Sequence, residues 1–189
     1  MADHKEEYAI SNYTTTGFTG RDPMNKKICY QPIGVIHTPF HDPVGMPIQP
    51  VGGKEITGTV EVYPEFTDGL MDIEGFSRII LIYDFHLSGD CRLQLVPFLD
   101  TLPHGVFSTR APNRPNSIGI SVVYLLKREG NCLYISGVDM LDGTPLLDIK
   151  PYLPECDAFF CERTGWFPGG DSCFITSRSD DRFSGNDTS

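Results

Sequence analysis

The chain has 189 residues, of which 40% are hydrophobic, so it is long enough to bury one core. Its formal net charge of −10 argues against broad electrostatic capture of nucleic acid, and a nucleic-acid partner would have to meet a local basic patch. The longest apolar runs, 79–82 and 122–126, are too short to span a bilayer. Because the first residues also lack a basic, apolar signal sequence, we expect a soluble cytoplasmic protein without membrane partners.

Both ends of the chain are polar. Residues 1–27 lack a sustained hydrophobic period, which predicts a flexible N-terminal segment. Residues 177–189 contain Phe183 as their only large apolar residue, and this composition predicts a disordered tail. We therefore expect the structured domain between residues 28 and 176.

The sequence between these ends predicts mainly β-structure. Residues 56–63 alternate, with Val60 and Val62 on one face, whereas 78–86 is nearly continuously apolar and predicts a strand buried on both sides. A short helix is expected at 66–73. Many short strands and few helices predict a single antiparallel β-barrel, closed or nearly closed. The predicted strands are 28–38, 56–63, 78–86, 91–98, 118–127, 132–140 and 145–149.

This pattern excludes the common nucleotide-binding α/β fold. That fold needs alternating strands and helices and a glycine-rich first turn, whereas the glycine pairs at 52–53 and 169–170 are isolated. A nucleotide-like cofactor would therefore have to be held in another way.

The six cysteines predict neither a disulfide framework nor a metal site. None lies in a Cys-x-x-Cys pair, and the closest two, Cys156 and Cys161, have no histidine nearby to complete a zinc set. The spacing of Asp84, His86 and Asp90 likewise matches no established coordination geometry. We expect scattered buried thiols and no metal.

Residues 107–120 are the most informative stretch, because Arg110 and Arg114 stand in a loop stiffened by Pro112 and Pro115. Guanidinium groups held in a stiff loop suit a carboxylate or phosphate, since their fork geometry allows two parallel hydrogen bonds. The same pattern fits a rigid connection whose arginines make ordinary surface ion pairs. The loop alone leaves both interpretations open.

Three further segments combine polar side chains with turn or strand-end signals. The Pro-bracketed loop 46–50 carries Gln49, although it also fits a simple surface turn. His86 ends the apolar run 78–86 and fits a base, a ligand or a core histidine. The third segment, 139–152, joins an Asp-Gly-Thr-Pro turn to a stretch whose alternation places three polar side chains on one face: Asp148, Lys150 and Tyr152.

Taken together and in this order, the segments resemble the TrmO family, the TsaA-like β-barrel tRNA methyltransferases. The matching stretches are 32–39, 84–86, 105–119 and 141–152. The resemblance implies a single β-barrel domain that forms a homodimer and binds S-adenosyl-L-methionine without the usual methyltransferase fold. It also implies methylation of the exocyclic nitrogen of threonylcarbamoyladenosine, the modified base beside the tRNA anticodon.

The resemblance implies cofactor contacts from four parts of the chain. Two positions depart from the family pattern: Ile48 stands where the family often has arginine, and Leu87 where it often has glutamine. Only backbone contacts are expected at these two residues. The implied cofactor-binding residues are Pro47, Ile48, Gln49, His86, Leu87, Arg110, Ile120, Leu141, Asp142, Gly143 and Thr144.

The resemblance also suggests residues that hold the anticodon loop through phosphate contact and base stacking: Arg114, Asn116, Lys150 and Tyr152. His86 and Asp142 are candidates for assisting the acceptor nitrogen, but the sequence assigns no catalytic residue. Two other functions stay open. One is a methyltransferase of the same fold with a different substrate, and the other is a non-catalytic barrel that binds a nucleoside or RNA.

Overall fold

Six antiparallel strands close into a barrel in the order β1-β2-β7-β6-β3-β8. The computed structural model describes residues 28–167 and 172–183. The barrel strands are β1 (Gly34–His37), β2 (Thr57–Val62), β3 (Arg78–Asp84), β6 (Ile118–Glu129), β7 (Cys132–Ser136) and β8 (Thr144–Pro151). A separate two-stranded ribbon is formed by β4 (Gln94–Leu95) and β5 (His104–Gly105). The predicted mainly β fold with a closed antiparallel barrel is thus confirmed.

The helices are short. In the described part of the chain, 3₁₀ helices span Pro50–Gly53, Pro64–Leu70, Ile73–Gly75 and Val106–Ser108. The α-helices among the same residues are α1 (Pro154–Asp157) and α2 (Ser172–Thr176). The helix predicted at 66–73 is therefore replaced by two 3₁₀ turns, and their residues Leu70 and Ile73 pack into the barrel core.

Alternation of side chains fills the barrel. Val60 and Val62 of β2 point inward and are buried, as their spacing predicts. Along β3 the burial also alternates, since Leu81 is fully buried whereas Ile80 and Ile82 are only half-buried. The expectation that β3 is buried on both sides is wrong, because a barrel wall has one interior face and nothing fully covers the other. Each buried aliphatic side chain contributes about 1.5–3 kcal/mol to stability.

Strand β8 contains an irregularity that changes which residues face inward. In its pairing with β3, Ile82 lies opposite Asp148 but Tyr83 lies opposite Leu146, so Leu147 is an extra residue. A bulge of this kind reverses the alternation on either side of it. Leu146 is buried in the core before the bulge, and Ile149 packs against the core after it.

The polar residues 177–183 are held against the barrel loops. The Ser179 N–H donates to the Met46 carbonyl at 2.9 Å, and the Gly45 N–H donates to the Ser179 carbonyl at 2.8 Å. Phe183 is buried in a small second cluster with Leu95, Val106 and Ala111. Backbone hydrogen bonds and one anchoring aromatic therefore connect 177–183 to the barrel loops, in a segment whose composition predicts a disordered tail. The predicted flexible segment 1–27 and the end of the tail, 184–189, lie outside the described residues.

Cys29, Cys91, Cys132, Cys156 and Cys161 form no disulfide bond. Cys29, Cys91, Cys156 and Cys161 are exposed, so the expectation that the thiols are buried is wrong for these four. Within residues 28–167 and 172–183, no helix has the length and apolar character needed to cross a membrane.

Candidate functional site

A cavity of about 190 Å³ lies where β3 ends and where β6 and β8 begin. Nine of the eleven residues predicted for the cofactor line it, and so does Arg114 from the predicted substrate set. All four segments singled out in the sequence contribute to its walls. The predicted cofactor residues that line the cavity are Pro47, Ile48, Gln49, His86, Leu87, Arg110, Ile120, Leu141 and Thr144.

Strand register explains why these segments meet. Tyr83 lies opposite Gly119 of β6 on one side and opposite Leu146 of β8 on the other. The loops that follow β3 and precede β6 and β8 therefore emerge at one end of the barrel. A side chain at Gly119 would overlap the Tyr83 ring, so glycine allows the ring to lie across this end of β6.

Arg110 is positioned by a neutral partner. Its Nη1 donates a hydrogen bond to Gln49 Oε1 at 2.6 Å, which joins the arginine loop to the loop 46–50 across the cavity. No ion pair to Arg110 is formed by the carboxylates of the described residues. A guanidinium held by an amide keeps its full charge available for an anionic ligand, so the surface ion-pair interpretation is wrong for this arginine.

Arg114 has a different role in the same loop. Its Nη1 donates to the carbonyls of Thr109 and Ala111, at 3.4 and 3.3 Å. These bonds fold the loop back on itself and fix the residues on either side of Arg110. The guanidinium still lines the cavity, so its predicted contact with a substrate stays a prediction.

A carboxylate that the sequence analysis did not single out lies in the cavity wall. Asp139 accepts a hydrogen bond from Ser121 Oγ at 2.6 Å, and Tyr83 OH lies 3.0 Å from the same Ser121 oxygen. Since the Ser121 hydrogen goes to Asp139, Tyr83 donates to Ser121. Asp139 retains some exposure to the cavity but is otherwise enclosed by protein.

Burial raises the pKa of Asp139 from 3.8 to about 7, even though the Ser121 hydrogen bond and the charge of Arg110 act to lower it. Burial and then the nearby Asp139 also raise the pKa of Tyr83 well above its ordinary value. A carboxyl group that titrates near neutrality inside a cavity is a candidate for proton transfer. The signal in the sequence was a lone aspartate directly after the buried Val138 and before the buried Met140.

Asp142 and Gly143 do not line the cavity. The Asp142 carboxylate accepts from the Thr38 N–H at 3.1 Å and lies 3.4 Å from His37 Nδ1 and 3.6 Å from His41 Nδ1. Burial alone would raise the pKa of Asp142, but the Thr38 hydrogen bond and the two histidines together lower it. The Asp142 carboxylate thus fixes the turn, and the residues of the turn that meet the cavity are Leu141 and Thr144.

Three of the four predicted substrate residues lie away from the cavity. Asn116, Lys150 and Tyr152 are absent from its lining. Lys150 lies six residues beyond Thr144 on β8, about 20 Å along the strand, and its Nζ pairs with Asp148 Oδ2 at 2.7 Å. Asn116 lies in the loop before β6, between Arg114 and Ile118, which do line the cavity. Contact of Asn116, Lys150 and Tyr152 with the anticodon loop stays a prediction.

His86 is exposed at the cavity, so its interpretation as a core histidine is wrong. No group of three or more metal-ligating side chains occurs in the part of the chain that the structure describes. The arrangement offers a cation at Arg110, a carboxyl group at Asp139 and apolar walls that include Phe85, Ile120 and Phe183.

The chain is similar in sequence and structure to several known proteins. Residues 35–158 match the tRNA-methyltransferase O N-terminal domain. A protein of Pyrococcus abyssi named as a probable S-adenosyl-L-methionine-binding protein is 56% identical over 156 residues, covering 82% of this chain and 85% of that protein. The tRNA (adenine(37)-N6)-methyltransferase of Mus musculus is 38% identical. The match covers 68% of this chain and 31% of the mouse protein.

A crystal structure of TrmO from Pseudomonas aeruginosa superimposes with a TM-score of 0.64 and 39% sequence identity. The match covers 75% of this chain and 62% of that chain. This chain thus spans most of the archaeal relative but only about a third of the mouse enzyme and under two thirds of the bacterial one.

Proposed function

This chain belongs to the tRNA-methyltransferase O N-terminal domain family, and from that premise we propose that it transfers the methyl group of S-adenosyl-L-methionine to tRNA. The observation that carries the proposal is the convergence of Arg110, Gln49 and Leu141 on one cavity at the end of the barrel. The cavity fits an amphoteric ligand, because it presents an arginine without an ion pair, a carboxyl group and apolar walls.

Different residues of the chain are suited to different parts of the ligand. Arg110, held by Gln49, suits the α-carboxylate of S-adenosyl-L-methionine. Ile120 and Leu141 offer apolar surface for the adenine ring. The N–H groups of Asp142 and Gly143 already donate to Phe40 and Ile36, so polar contacts to adenine from this turn must come from other backbone atoms.

The turn 141–144 is rigid because its backbone hydrogen bonds to Phe40 and Ile36 are already formed. Gly143 has a φ of +75°, a conformation that glycine adopts at little cost, and Thr144 Oγ1 donates to the Leu141 carbonyl at 2.8 Å. Because the turn is pre-formed, the chain loses little conformational freedom when the cofactor binds.

When bound, S-adenosyl-L-methionine supplies a methyl group on a positively charged sulfur, and the acceptor nitrogen exchanges its hydrogen for that methyl group and releases a proton. Asp139 is placed to take this proton on the carboxylate oxygen that Ser121 does not occupy. A general base is most effective when its pKa is near the working pH, and burial brings the pKa of Asp139 to about 7.

We further propose that the acceptor is the exocyclic nitrogen of threonylcarbamoyladenosine beside the anticodon and that the enzyme works as a cytoplasmic homodimer. Support for the tRNA position comes from the mouse relative, whose name specifies N6 of adenine 37. A second candidate is a methyltransferase of this family with another substrate. It is favoured by the archaeal relative, which is named only for S-adenosyl-L-methionine binding.

Incubation of the protein with labelled S-adenosyl-L-methionine and total tRNA, followed by mass spectrometry of the nucleosides, tests the function. We expect label in methylated threonylcarbamoyladenosine. Label in another nucleoside would favour the second candidate, and failure to form S-adenosylhomocysteine with any RNA would favour a non-catalytic binding barrel.

The role of Asp139 is tested by Asp139→Asn in single-turnover reactions across a pH series. General-base catalysis contributes about 10²–10⁴-fold, so the rate should fall within this range and lose its rise through pH 7. Asp148→Asn, which alters an exposed carboxylate outside the cavity, is the matched control. An unchanged rate with weakened cofactor binding would contradict proton transfer and assign Asp139 to binding the ligand's positive charge.

A further inference from the structure

A second and larger concavity adjoins the cofactor cavity. It encloses about 850 Å³ and runs along the outer face of β6 from Ile120 to Tyr124. We call it the basic groove, after the side chains that characterise its lining: Lys54, Arg78, Arg110, Tyr124, Phe167 and Phe174.

The charge of the basic groove is opposite to that of the protein. The whole chain has a net charge of −10, yet the described residues that line the groove include three cationic side chains and no aspartate or glutamate. None of Lys54, Arg78 and Arg110 forms an ion pair with a carboxylate of the described residues. By contrast, Lys127 and Lys150 on neighbouring surface are paired with acids at 2.6 and 2.7 Å.

Unpaired cations gathered on an acidic protein indicate an anionic partner, because like charges held together without counterions repel one another. The local basic patch that a nucleic-acid partner requires is therefore present, although the composition of the chain gives no sign of it.

The groove also presents flat side chains. The Arg78 guanidinium stacks on the ring of Tyr124, its cross-strand neighbour, with its carbon 3.7 Å from the ring centroid. The rings of Phe167 and Phe174 lie 5.8 Å apart in the opposite part of the lining. Arginine planes and aromatic rings are the surfaces on which unpaired bases stack, so the groove suits a single strand better than a duplex.

The basic groove leads directly to the cofactor cavity. Gln49, Arg110 and Ile120 line both. Ser121 lines the groove, while Asp139, which accepts the Ser121 hydrogen bond, lines the cavity. A strand in the groove would therefore pass the group proposed to accept the proton.

We propose that the basic groove binds the single-stranded anticodon loop of the substrate tRNA, with Lys54 and Arg78 contacting phosphates and Tyr124 supporting a base. The proposal rests on the proposed function. Tyr152, which the sequence analysis assigned to the anticodon loop, lies beside the groove, because its N–H donates to the Arg78 carbonyl at 3.2 Å. The loop lies along β6, and its methylated base enters the cavity between Arg110 and Ile120.

The test measures binding of a fluorescein-labelled anticodon stem-loop RNA by anisotropy at a series of KCl concentrations. Each phosphate contact contributes about 0.7 to the slope of log affinity against log salt. The double variant Lys54→Ala, Arg78→Ala should therefore reduce the slope by about 1.4 and weaken binding about 10–100-fold at low salt. Lys127→Ala is the single-charge control for the separate variants Lys54→Ala and Arg78→Ala. It removes an exposed cation that lies outside the groove and is already paired with an acid.

Arg78→Lys separates charge from stacking. The salt slope should stay that of the unaltered protein, whereas affinity should fall several-fold because an ammonium group has no flat face. Calorimetry with S-adenosyl-L-methionine and thermal unfolding accompany every variant, and both should be unchanged within error for Lys54→Ala. A general folding defect would instead weaken cofactor binding as well.

If the double variant keeps the affinity and the salt slope of the unaltered protein, the proposal is overturned, while methylation of tRNA by the unaltered protein would leave the proposed function intact. If the unaltered protein methylates no tRNA, the proposed function fails instead. A change of oligomeric state in sedimentation, with RNA binding unaffected, would assign the groove to a second copy of the chain and also overturn the proposal.

Discussion

The sealed interior of the barrel and the cofactor cavity are built from the same strands, but they use their inward-facing positions differently. Along β3 the inward residues run from Ile79 through Leu81 to Tyr83, and along β6 Val123 is followed at the next inward position by Ser121. Between one inward position and the next, the side chains change from purely apolar to hydrogen-bonding. Hydrogen-bonding side chains are thus placed at the cavity end of these two strands, with apolar residues directly beneath them.

This contrast predicts that the two regions respond differently to substitution. A change in the apolar layer should affect stability first, and a change at the cavity should affect ligand binding or proton exchange at modest cost in stability. The following variants are arranged from the largest expected effect to the smallest.

Leu81→Ala should produce the largest change. Leu81 is fully buried, and removing a buried leucine side chain costs about 2–5 kcal/mol through lost burial and the cavity left behind. Urea unfolding followed by circular dichroism measures the free energy of unfolding. Ile80→Ala, on the half-buried outer face of the same strand, is the matched control and should cost clearly less. Equal losses for the two variants would contradict a one-sided barrel wall.

Asp139→Asn should stabilise the fold at alkaline pH. Folding raises the pKa of Asp139 from 3.8 to about 7, so between these values the folded state binds more protons than the unfolded state. Stability therefore falls as the pH rises from about 4 to 7, and the cost of the buried charge is complete above pH 7. Asparagine does not ionise and removes this cost.

We expect Asp139→Asn to exceed the unaltered protein by about 2 kcal/mol at pH 8 and to match it near pH 4, after allowance for the solvent that reaches the carboxyl group through the cavity. Chemical denaturation at the two pH values measures the difference. A difference that is the same at both pH values would show that the carboxyl group is not desolvated.

Arg110→Ala should weaken binding of S-adenosyl-L-methionine by about 1–3 kcal/mol, the usual effect of removing one charge-assisted partner. Isothermal titration calorimetry measures the affinity. Stability should change little, because the side chain is exposed and, among the described residues, its hydrogen-bond partner is the exposed loop residue Gln49. Arg110→Lys should recover part of the affinity, since lysine restores the positive charge but not the two parallel hydrogen bonds of a guanidinium group. Unchanged affinity in the alanine variant would remove Arg110 from the cofactor site.

Lys150→Ala should have the smallest effect on the cofactor, within about 0.3 kcal/mol, because an exposed ion pair at the far end of β8 contributes little. Calorimetry checks this expectation. Lys150 lies opposite Ile80 on β3, two residues from Arg78, so a fall in tRNA binding in this variant would extend the RNA-binding surface beyond the basic groove to the far end of β8.

The convergence of distant loops could be predicted from the sequence, whereas individual side-chain roles could not. Gln49, Arg110 and Leu141 line one cavity, and the family resemblance supplied the grouping of these segments that spacing alone left open. The register of β3 against β6 places Tyr83 beside Ser121, and no local pattern encodes that register. The Asp139 network was missed for this reason.

Two other predictions depended equally on local patterns. The extra residue Leu147 precedes Asp148, so the alternation that predicts a shared polar face for Asp148, Lys150 and Tyr152 continues after it, and Lys150 pairs with Asp148 at 2.7 Å. Low hydrophobicity predicted disorder at 177–183, yet Ser179 is fixed by the main chain of Gly45 and Met46. Composition measures how much apolar surface a segment can bury, but it does not record backbone hydrogen bonds between residues more than 130 positions apart, such as those of Ser179 with Gly45 and Met46.

The segment 177–183 contributes Ser179, Asp180 and Phe183 to the cavity wall. A molecule that fills the cavity presses against this segment, so occupancy and docking of the C-terminal residues are linked and each must strengthen the other. Saturating S-adenosyl-L-methionine should consequently slow proteolysis after Arg178 and Arg182. Ligand binding in the cavity therefore stabilises the docked position of residues 177–183.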